Sequence, residues 1–422
     1  MTTIRFHAGH IREAVDSSMN RNRLPQWLNS LIDRIADSPT SWVGRIAARR
    51  MGRPAPAGTV PVTVFEDLPK RVLIAPVNYS EQGFAWARAL ERADPTISAR
   101  NMSIEVPGGF AFRTDLEVPL GTYHNDRDWQ ERQLRAAGDC THFLIEAEEP
   151  PFGRLFGRSL EAQAQALAQR GVDLAFLAHG TDVRLPSRHA AENPWSSFHD
   201  PLIYLPRAEV LARRNIDYLT RAGRPIFVST PDLLLDLPEA SWCPVAVEPA
   251  RWRTERAGSD ARARPLRVVH SPSNSILKGT QFILPILQQL EQEGIIQFKL
   301  LQGVPSSEMP AEFAQADVML DQFRAGSYGV AACEAMAAGC IVIGQVSEQV
   351  RAAVFDATGV RLPIVEATPD TIADLLRALS MHGDLAPQRA QSIDFVQQVH
   401  DGRFSARVLR DRWIDSHNPE GS

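Results

Sequence analysis

The stretch "HSPSNSILKGTQFILPILQQL", His270 to Leu290, joins an apolar run to a helical pattern through a polar loop. Upstream, Leu266, Val268 and Val269 read as a short buried strand that closes at His270. Downstream, apolar residues recur at helical spacing, and Thr280 is expected to cap that helix. Lys278 thus stands at the mouth of a strand–loop–helix unit. Free backbone N–H groups and the positive end of a helix dipole meet there, and a lysine adds a point charge. A phosphate suits such a place. The plain alternative is an exposed loop lysine beside a cap. Pro285 removes a backbone donor early in the helix, so an irregularity is expected there.

The same texture extends outward. "IQFKLLQG", "DVMLDQF", "CIVIGQ" and "LPIVEA" read as strands, and "PAEFAQA", "YGVAACEAMAAG" and "PDTIADLLRALSMHG" as helices. Toward the N-terminus, "RVLIAP", "THFLIEAE", "VDLAFLAHG" and "RPIFVST" are strands. "SEQGFAWARALER", with Ser80 as its expected N-cap, and "SLEAQAQALAQRG", stopping at Gly171, are helices. Strand–helix alternation describes parallel sheets covered on both faces. The charged, turn-rich stretch "EPARWRTERAGSDARARPLR" separates two such α/β units. The expected order is a helical arm and linker (1–69), a first Rossmann-like domain (70–250), and a second (251–422) ending in a C-terminal helix. The chain has 422 residues, which at ~100–200 residues per domain fits that division.

Composition narrows the class. The chain is 44% hydrophobic and 23% charged with a formal net charge of −5, as in ordinary globular proteins. That charge argues against a protein built to coat nucleic acid. No apolar segment approaches the ~20 residues of a spanning helix. "MTTIRFHAGHIREAVDSS" has no apolar core of a secretory signal, so a cytoplasmic location is expected. Cys140, Cys243, Cys333 and Cys340 are scattered, which suits a reduced interior without bound metal. In the arm, Leu24, Trp27, Leu28, Leu31, Ile32 and Ile35 keep helical spacing. Trp42, Val43 and Ile46 follow Ser38-Pro39 in a second helix, with Arg45, Arg49, Arg50 and Arg53 around it. Residues 24–53 read as an arm on the protein itself or on a second subunit, a homodimer; the alternative is contact with an anionic membrane surface.

Two further clusters sit where strands end, the place where such sheets bind ligands. In "DQFRAGSYGVAACEAMAAGC", Asp321 ends a strand and Gly326 and Gly329 flank Ser327 and Tyr328. Glu334 lies on a small-residue helix beside Cys333, Ala335 and Met336, a setting that calls for a partner or a ligand. A carboxylate there can accept both hydroxyls of a ribose. In "AHGTDVR", His179 closes a strand and Gly180, Asp182 and Arg184 follow. A strand-end histidine can orient a hydroxyl, or it can be a satisfied structural residue.

"SPSNSILKGT", "ADVMLDQ", "YGVAACEAMAAG" and "LPIVEATPDTIADLL" together resemble the donor-binding domain of retaining GT-B glycosyltransferases, the group 1 or family 4-like type. The resemblance spans about residues 267–379, and weaker similarity through "HGTDVRLP" and "VSTPDLLLDLP" extends it. It implies two Rossmann-like domains facing a cleft and transfer from a nucleotide sugar, most simply UDP- or GDP-linked. It also implies retention of configuration, with no metal and no permanent cofactor. Lys278 would contact the donor diphosphate, Glu334 the ribose, and the backbone at Tyr328, Gly329 and Val330 the phosphates. His179 would lie near the transferred sugar. Ser273, Asn274, Gly279, Asp321, Gly326 and Ser327 complete the expected donor side, and Glu146, Asp182 and Arg184 the acceptor side. The acceptor would be a polysaccharide or glycolipid intermediate. Two departures stand out. Gly326 occupies the position of a sugar-binding glutamate in many relatives, and the loop Ser271–Ser275 lacks their phosphate-binding arginine. Both keep open a second expectation, a catalytically silent GT-B accessory subunit. Asp126-Arg127-Asp128 is discounted as a metal-binding DxD, and Glu146, Glu148 and Glu149 read more simply as a solvated acidic turn. "PGGFAF" (107–112) lacks dinucleotide-fingerprint spacing.

Overall fold

A computed structural model describes residues 21–37, 51–105, 112–253, 265–381 and 384–416. The strand–helix alternation resolves into two parallel sheets. The first holds β1 (Lys70–Ala75), β2 (Ile97–Glu105), β3 (Leu116–Pro119), β4 (His142–Glu146), β5 (Asp173–Ala178), β6 (Ile226–Val228) and β7 (Ser241–Trp242). Its order is β3-β2-β1-β4-β5-β6-β7. The second holds β8 (Leu266–His270), β9 (Ile296–Leu300), β10 (Val318–Leu320), β11 (Ile341–Gly344) and β12 (Val365–Glu366), in the order β12-β11-β10-β8-β9. The central strands are apolar runs buried on both faces, as parallel sheets require. In each sheet the strand order reverses once, between β1 and β4 and between β8 and β10. Those reversals open crevices at the strand ends, and both crevices carry residues discussed below.

Three strands of the first sheet, β2, β3 and the two-residue β7, are not among those expected from apolar runs. β2 reads "ISARNMSIE", a strand whose polar residues interrupt any apolar run although most of it is buried. Asn101 is fully buried and donates to the Ile74 and Val77 carbonyls at 3.0 and 3.2 Å. The expected caps also shift. Ser80 and Glu81 take left-handed φ values of 50° and 67°, and the helix starts only at Gln82. Gly279 rather than Thr280 caps helix Thr280–Gln292, which runs unbroken through Pro285. Asp126 caps helix Arg127–Ala137 by accepting from the Trp129 amide, which accounts for the DxD triplet.

Beside an apolar cluster that runs through both units, two sets of contacts stand out in tying them together. The chain's last described turns return to the first unit, where Leu409, Trp413 and Ile414 cluster with Trp86 and Leu90. Lys70 clasps Asp415 at 2.7 Å. Second, Arg324 of the second unit crosses to the first. It donates to the carbonyls of Trp195 and Ser196 and pairs with Asp200 at 3.0 Å. His189 and Asn193 reach the carbonyls of Ala325 and Arg324 from the other side.

The arm forms helix Gln26–Ala36. It docks on helix Leu205–Ala222 through polar contacts, with Arg207 donating twice to Asp37 at 2.8 and 2.9 Å. Asn22 donates to the Pro201 carbonyl at 2.7 Å. Trp27 and Leu31 stay 68% and 45% exposed on the far side. The second expected arm helix and Arg45, Arg49 and Arg50 lie outside the described residues. The linker that follows carries no helix or strand among the described residues, yet it is fastened. The Thr63 amide donates to buried Gln133 at 2.9 Å.

Candidate functional site

The loop that follows His270 forms a compact turn at the β8 end. Asn274 caps helix Ser275–Lys278 by accepting from the Ile276 and Leu277 amides, while Ser273 stays exposed. Gly279 takes φ +76°, and a Cβ there would come within 3.1 Å of Arg324 Cγ. The glycine lets two short segments turn against the seam. His270 is a fastener: it bonds the Leu320 carbonyl and the Thr280 hydroxyl at 2.8 and 2.9 Å. Burial pushes its pKa down to about 4. Lys278 is directed at Asp321 at the end of β10, and the two form a short ion pair. Their side chains are 12% and 1% exposed, so this lysine's charge is neutralised in place.

Glu334 sits differently. It lies on helix Val330–Ala337, one turn in from the N-terminus, where first-turn N–H groups have no intrahelical partner. Val330 and Glu334 line a cleft between the two units, faced by Glu81, Phe84 and Arg113 of the first unit and by Arg251 of the connecting segment. No described residue donates a hydrogen bond to its carboxylate. Burial pushes its pKa up to about 8, with Arg251 and Lys278 pulling it down and Glu81 pushing it further up. An acid so placed is poised to accept hydroxyl donors from a bound molecule.

The remaining expected donor residues divide. Gly326 (φ +68°) lies on the seam, its amide donating to Gln345 Oε1 at 3.0 Å and its Cα facing Asn193. Ser327 is buried beside Asp232. Tyr328 enters the core, with its hydroxyl 3.2 Å from His400 Nε2. Its neighbour Gly329 is the extended N-cap of the Glu334 helix.

At the β4 and β5 ends, the acidic turn is not solvated. Glu146 is fully buried and holds His179 Nε2 at 3.0 Å. The His179 ring stacks on Trp86 at 5.9 Å and meets Tyr79 edge-on at 4.9 Å. Glu148, left-handed at φ 50°, is buried with neither carboxyl oxygen hydrogen-bonded in ordinary geometry. Burial, with Asp182 alongside, raises its pKa well above the usual carboxylate range. Asp182 accepts from the His179 amide at 2.7 Å and shapes the loop. Arg184 is bound to Asp232, with Nε 3.0 Å away. Asp182 and Arg184 are therefore committed to internal contacts, whereas His179 is held in a defined orientation. Glu149 is tied to Arg158 and to the Tyr123 hydroxyl.

Several residues escaped the sequence reading. Arg324, in "DQFRAG", has no local signal that sets it apart; Glu81, Arg113 and Arg251 lie in charged stretches that offer no pattern to separate them.

No family model matches the chain, and no curated protein matches it in sequence. Solved structures do match in shape. HepE from Anabaena, in complex with UDP and glucose, superposes with a TM-score of 0.51 at 9% identity, over 82% of this chain and 99% of that one. An alpha-glucosyltransferase in complex with UDP and DNA superposes at 0.50 with 11% identity, over 81% of this chain and 98% of that one. The fold is GT-B. In GT-B terms, the cleft of Glu334 lies between the two Rossmann-like domains, and the C-terminal return onto the first domain closes the architecture. At these identities the likeness speaks to the GT-B frame alone.

Proposed function

We propose that the protein is a glycosyltransferase that moves a sugar from a nucleotide-sugar donor, UDP- or GDP-linked, to a hydroxyl of a carbohydrate or glycolipid acceptor. One observation carries this reading. Glu334 is an unpartnered carboxylate facing the interdomain cleft of a GT-B fold, one turn from a helix N-terminus. The ribose hydroxyls donate to Glu334, and the diphosphate meets the open N–H groups at Val330 and Ala331. His179, fixed by Glu146, orients the sugar's hydroxyls. The bond from the anomeric carbon to the phosphate oxygen breaks as the acceptor oxygen bonds to that carbon. The acceptor proton passes to the departing diphosphate. Stabilising the charge that develops on that diphosphate is the main catalytic task. The motif resemblance supports retention without a metal. The UDP complexes of HepE and the alpha-glucosyltransferase support a UDP-linked donor. Among the described residues no helix is long and apolar enough to cross a membrane. A cytoplasmic enzyme with the arm near a membrane face fits the exposed Trp27 and Leu31.

Thermal unfolding with UDP, GDP, ADP, dTDP and CMP tests this on wild type and Glu334→Ala. A nucleotide at ~100 times its dissociation constant stabilises the native state by ~2.7 kcal/mol. Losing the bonds to a charged carboxylate removes ~1.5–3 kcal/mol of binding. One nucleotide that stabilises the wild type and loses that effect in the variant is the expected result. The ion pair of Lys278 with Asp321 and the placement of Gly326 on the seam favour a second reading, a silent accessory subunit. A folded wild type that responds to no nucleotide would select it.

A further inference from the structure

The cleft contains a cation pair that the motif resemblance does not supply. Glu81 accepts from the Arg113 guanidinium at 2.8 Å and from its backbone amide at 3.1 Å. The same carboxylate takes Arg251 Nη1 at 3.3 Å. One glutamate from the turn after β1 therefore gathers an arginine of the first domain and one of the interdomain connection. The backbone at Ser80 and Glu81 is left-handed without glycine, which aims this side chain into the cleft. The ring of Phe84 lies 5.2 Å from the Arg113 guanidinium and holds it from below. Glu334 faces the same space.

Two ion pairs thus compete for the role of phosphate cation, and their burial decides between them. Lys278 and Asp321 are 12% and 1% exposed. Separating a pair so buried strands a charge in the protein interior. Arg113 and Arg251 are 51% and 32% exposed and the Glu81 carboxylate between them 14%, and Glu248 stands 3.6 Å from Arg113 as a second, open counterion. The guanidiniums are the open side of these pairs, so a ligand of higher charge reaches them without stranding a buried cation. Guanidinium forks also match phosphate oxygens two at a time.

We propose that Arg113 and Arg251 are the diphosphate-binding cations of this cleft, held on Glu81 until a nucleoside diphosphate takes its place. They stand in for the arginine missing from the Ser271–Ser275 loop. This rests on the nucleotide-sugar reading above. Glu81 is then a resident counterion: it keeps the arginines oriented in the empty cleft and competes with the donor.

The test is the affinity ratio of a nucleoside diphosphate to its bare nucleoside, measured by calorimetry. The nucleotide used is whichever of UDP, GDP and ADP shifts the wild-type melting temperature most. The ratio is expected to fall at least about tenfold in Arg113→Ala and Arg251→Ala, with nucleoside affinity unchanged. Arg251→Lys should recover part of it. Glu81→Gln should bind the diphosphate several-fold tighter, since the nearer competing charge is gone and only the open Glu248, 3.6 Å from Arg113, remains. Melting curves of each variant check that the fold is kept. If the diphosphate binds the wild type and its ratio survives both arginine substitutions, the inference is overturned and the glycosyltransferase reading stands. Weaker diphosphate binding in Glu81→Gln overturns the displacement. If no nucleoside diphosphate binds the wild type, the functional reading fails and takes this inference with it.

Discussion

Glu334 shows how one residue's surroundings set a measurable property. Its carboxyl ordinarily titrates near 4.5, and burial first, then Glu81, lifts it to about 8 against the pull of Arg251 and Lys278. Its folded pKa is raised, so its contribution to stability is complete below the unfolded value. That contribution is lost as pH rises from about 4.5 through about 8. Ribose hydroxyls donate to the ionised form, so nucleotide binding at pH 7 should release a proton. Affinity should climb with pH until about 8. Calorimetry in two buffers of different ionisation enthalpy measures that proton, and Glu334→Gln should abolish it. A wild type that binds nucleotide without proton release would contradict the assignment of the ribose to this carboxylate. Glu334 was legible beforehand because a charged residue among alanine, cysteine and methionine demands a partner. Glu81 and Arg251 were not, since charges among other charges give no contrast. Glu146 and Glu148 misled in the opposite direction. Three acidic residues within four positions look solvated, and only the crevice at the β4 end buries two of them.

At the level of elements, the turn from β8 into helix Thr280–Gln292 explains why the Lys-Gly pair stands there. The strand, loop and helix were readable from periodicity. What the side chains do was not, because His270 and Thr280 find each other only after β8 and the helix have packed. The lysine's partner, Asp321, is 43 residues further along. Gly279 is the element-scale constraint. Its φ of +76° is costly for any L side chain, and an added Cβ would meet Phe323 Cβ at 3.3 Å besides Arg324. Arg324 cannot shift to make room, because its guanidinium is fixed by carbonyls and Asp200. Gly279→Ala should therefore cost at least about 1–2 kcal/mol, the penalty of the left-handed backbone alone. Urea unfolding monitored by circular dichroism measures it. By contrast Gly171→Ala, with no atom near its Cβ, should lose only the backbone term. A smaller loss at Gly279 than at Gly171 would show that the seam yields.

For the whole molecule, two parallel sheets and their order along the chain could be read from apolar runs, which carry the fold because parallel strands are buried on both faces. The joining of the domains could not. It depends on contacts such as Arg324 with Trp195 and Asp200, 129 and 124 residues apart, and no local pattern encodes them. Arg324 is also the place to test whether the domains are held as one body. Its side chain and that of Asp200 are 3% and 8% exposed. Removing one partner of a buried pair costs about 3–5 kcal/mol, chiefly because the other charge is left unpaired. Arg324→Ala should lose that much stability in urea, and small-angle scattering should show a larger radius of gyration as the seam opens. Asp200→Asn in the Arg324→Ala background should restore part of the loss, since no orphan carboxylate remains. The restored stability need not close the seam, because the Trp195 and Ser196 carbonyls still lack their donor. Scattering and stability would then part company in the double variant. If Arg324→Ala alone leaves both unchanged, the C-terminal return through Trp413 suffices to hold the domains, and the seam only sets their register.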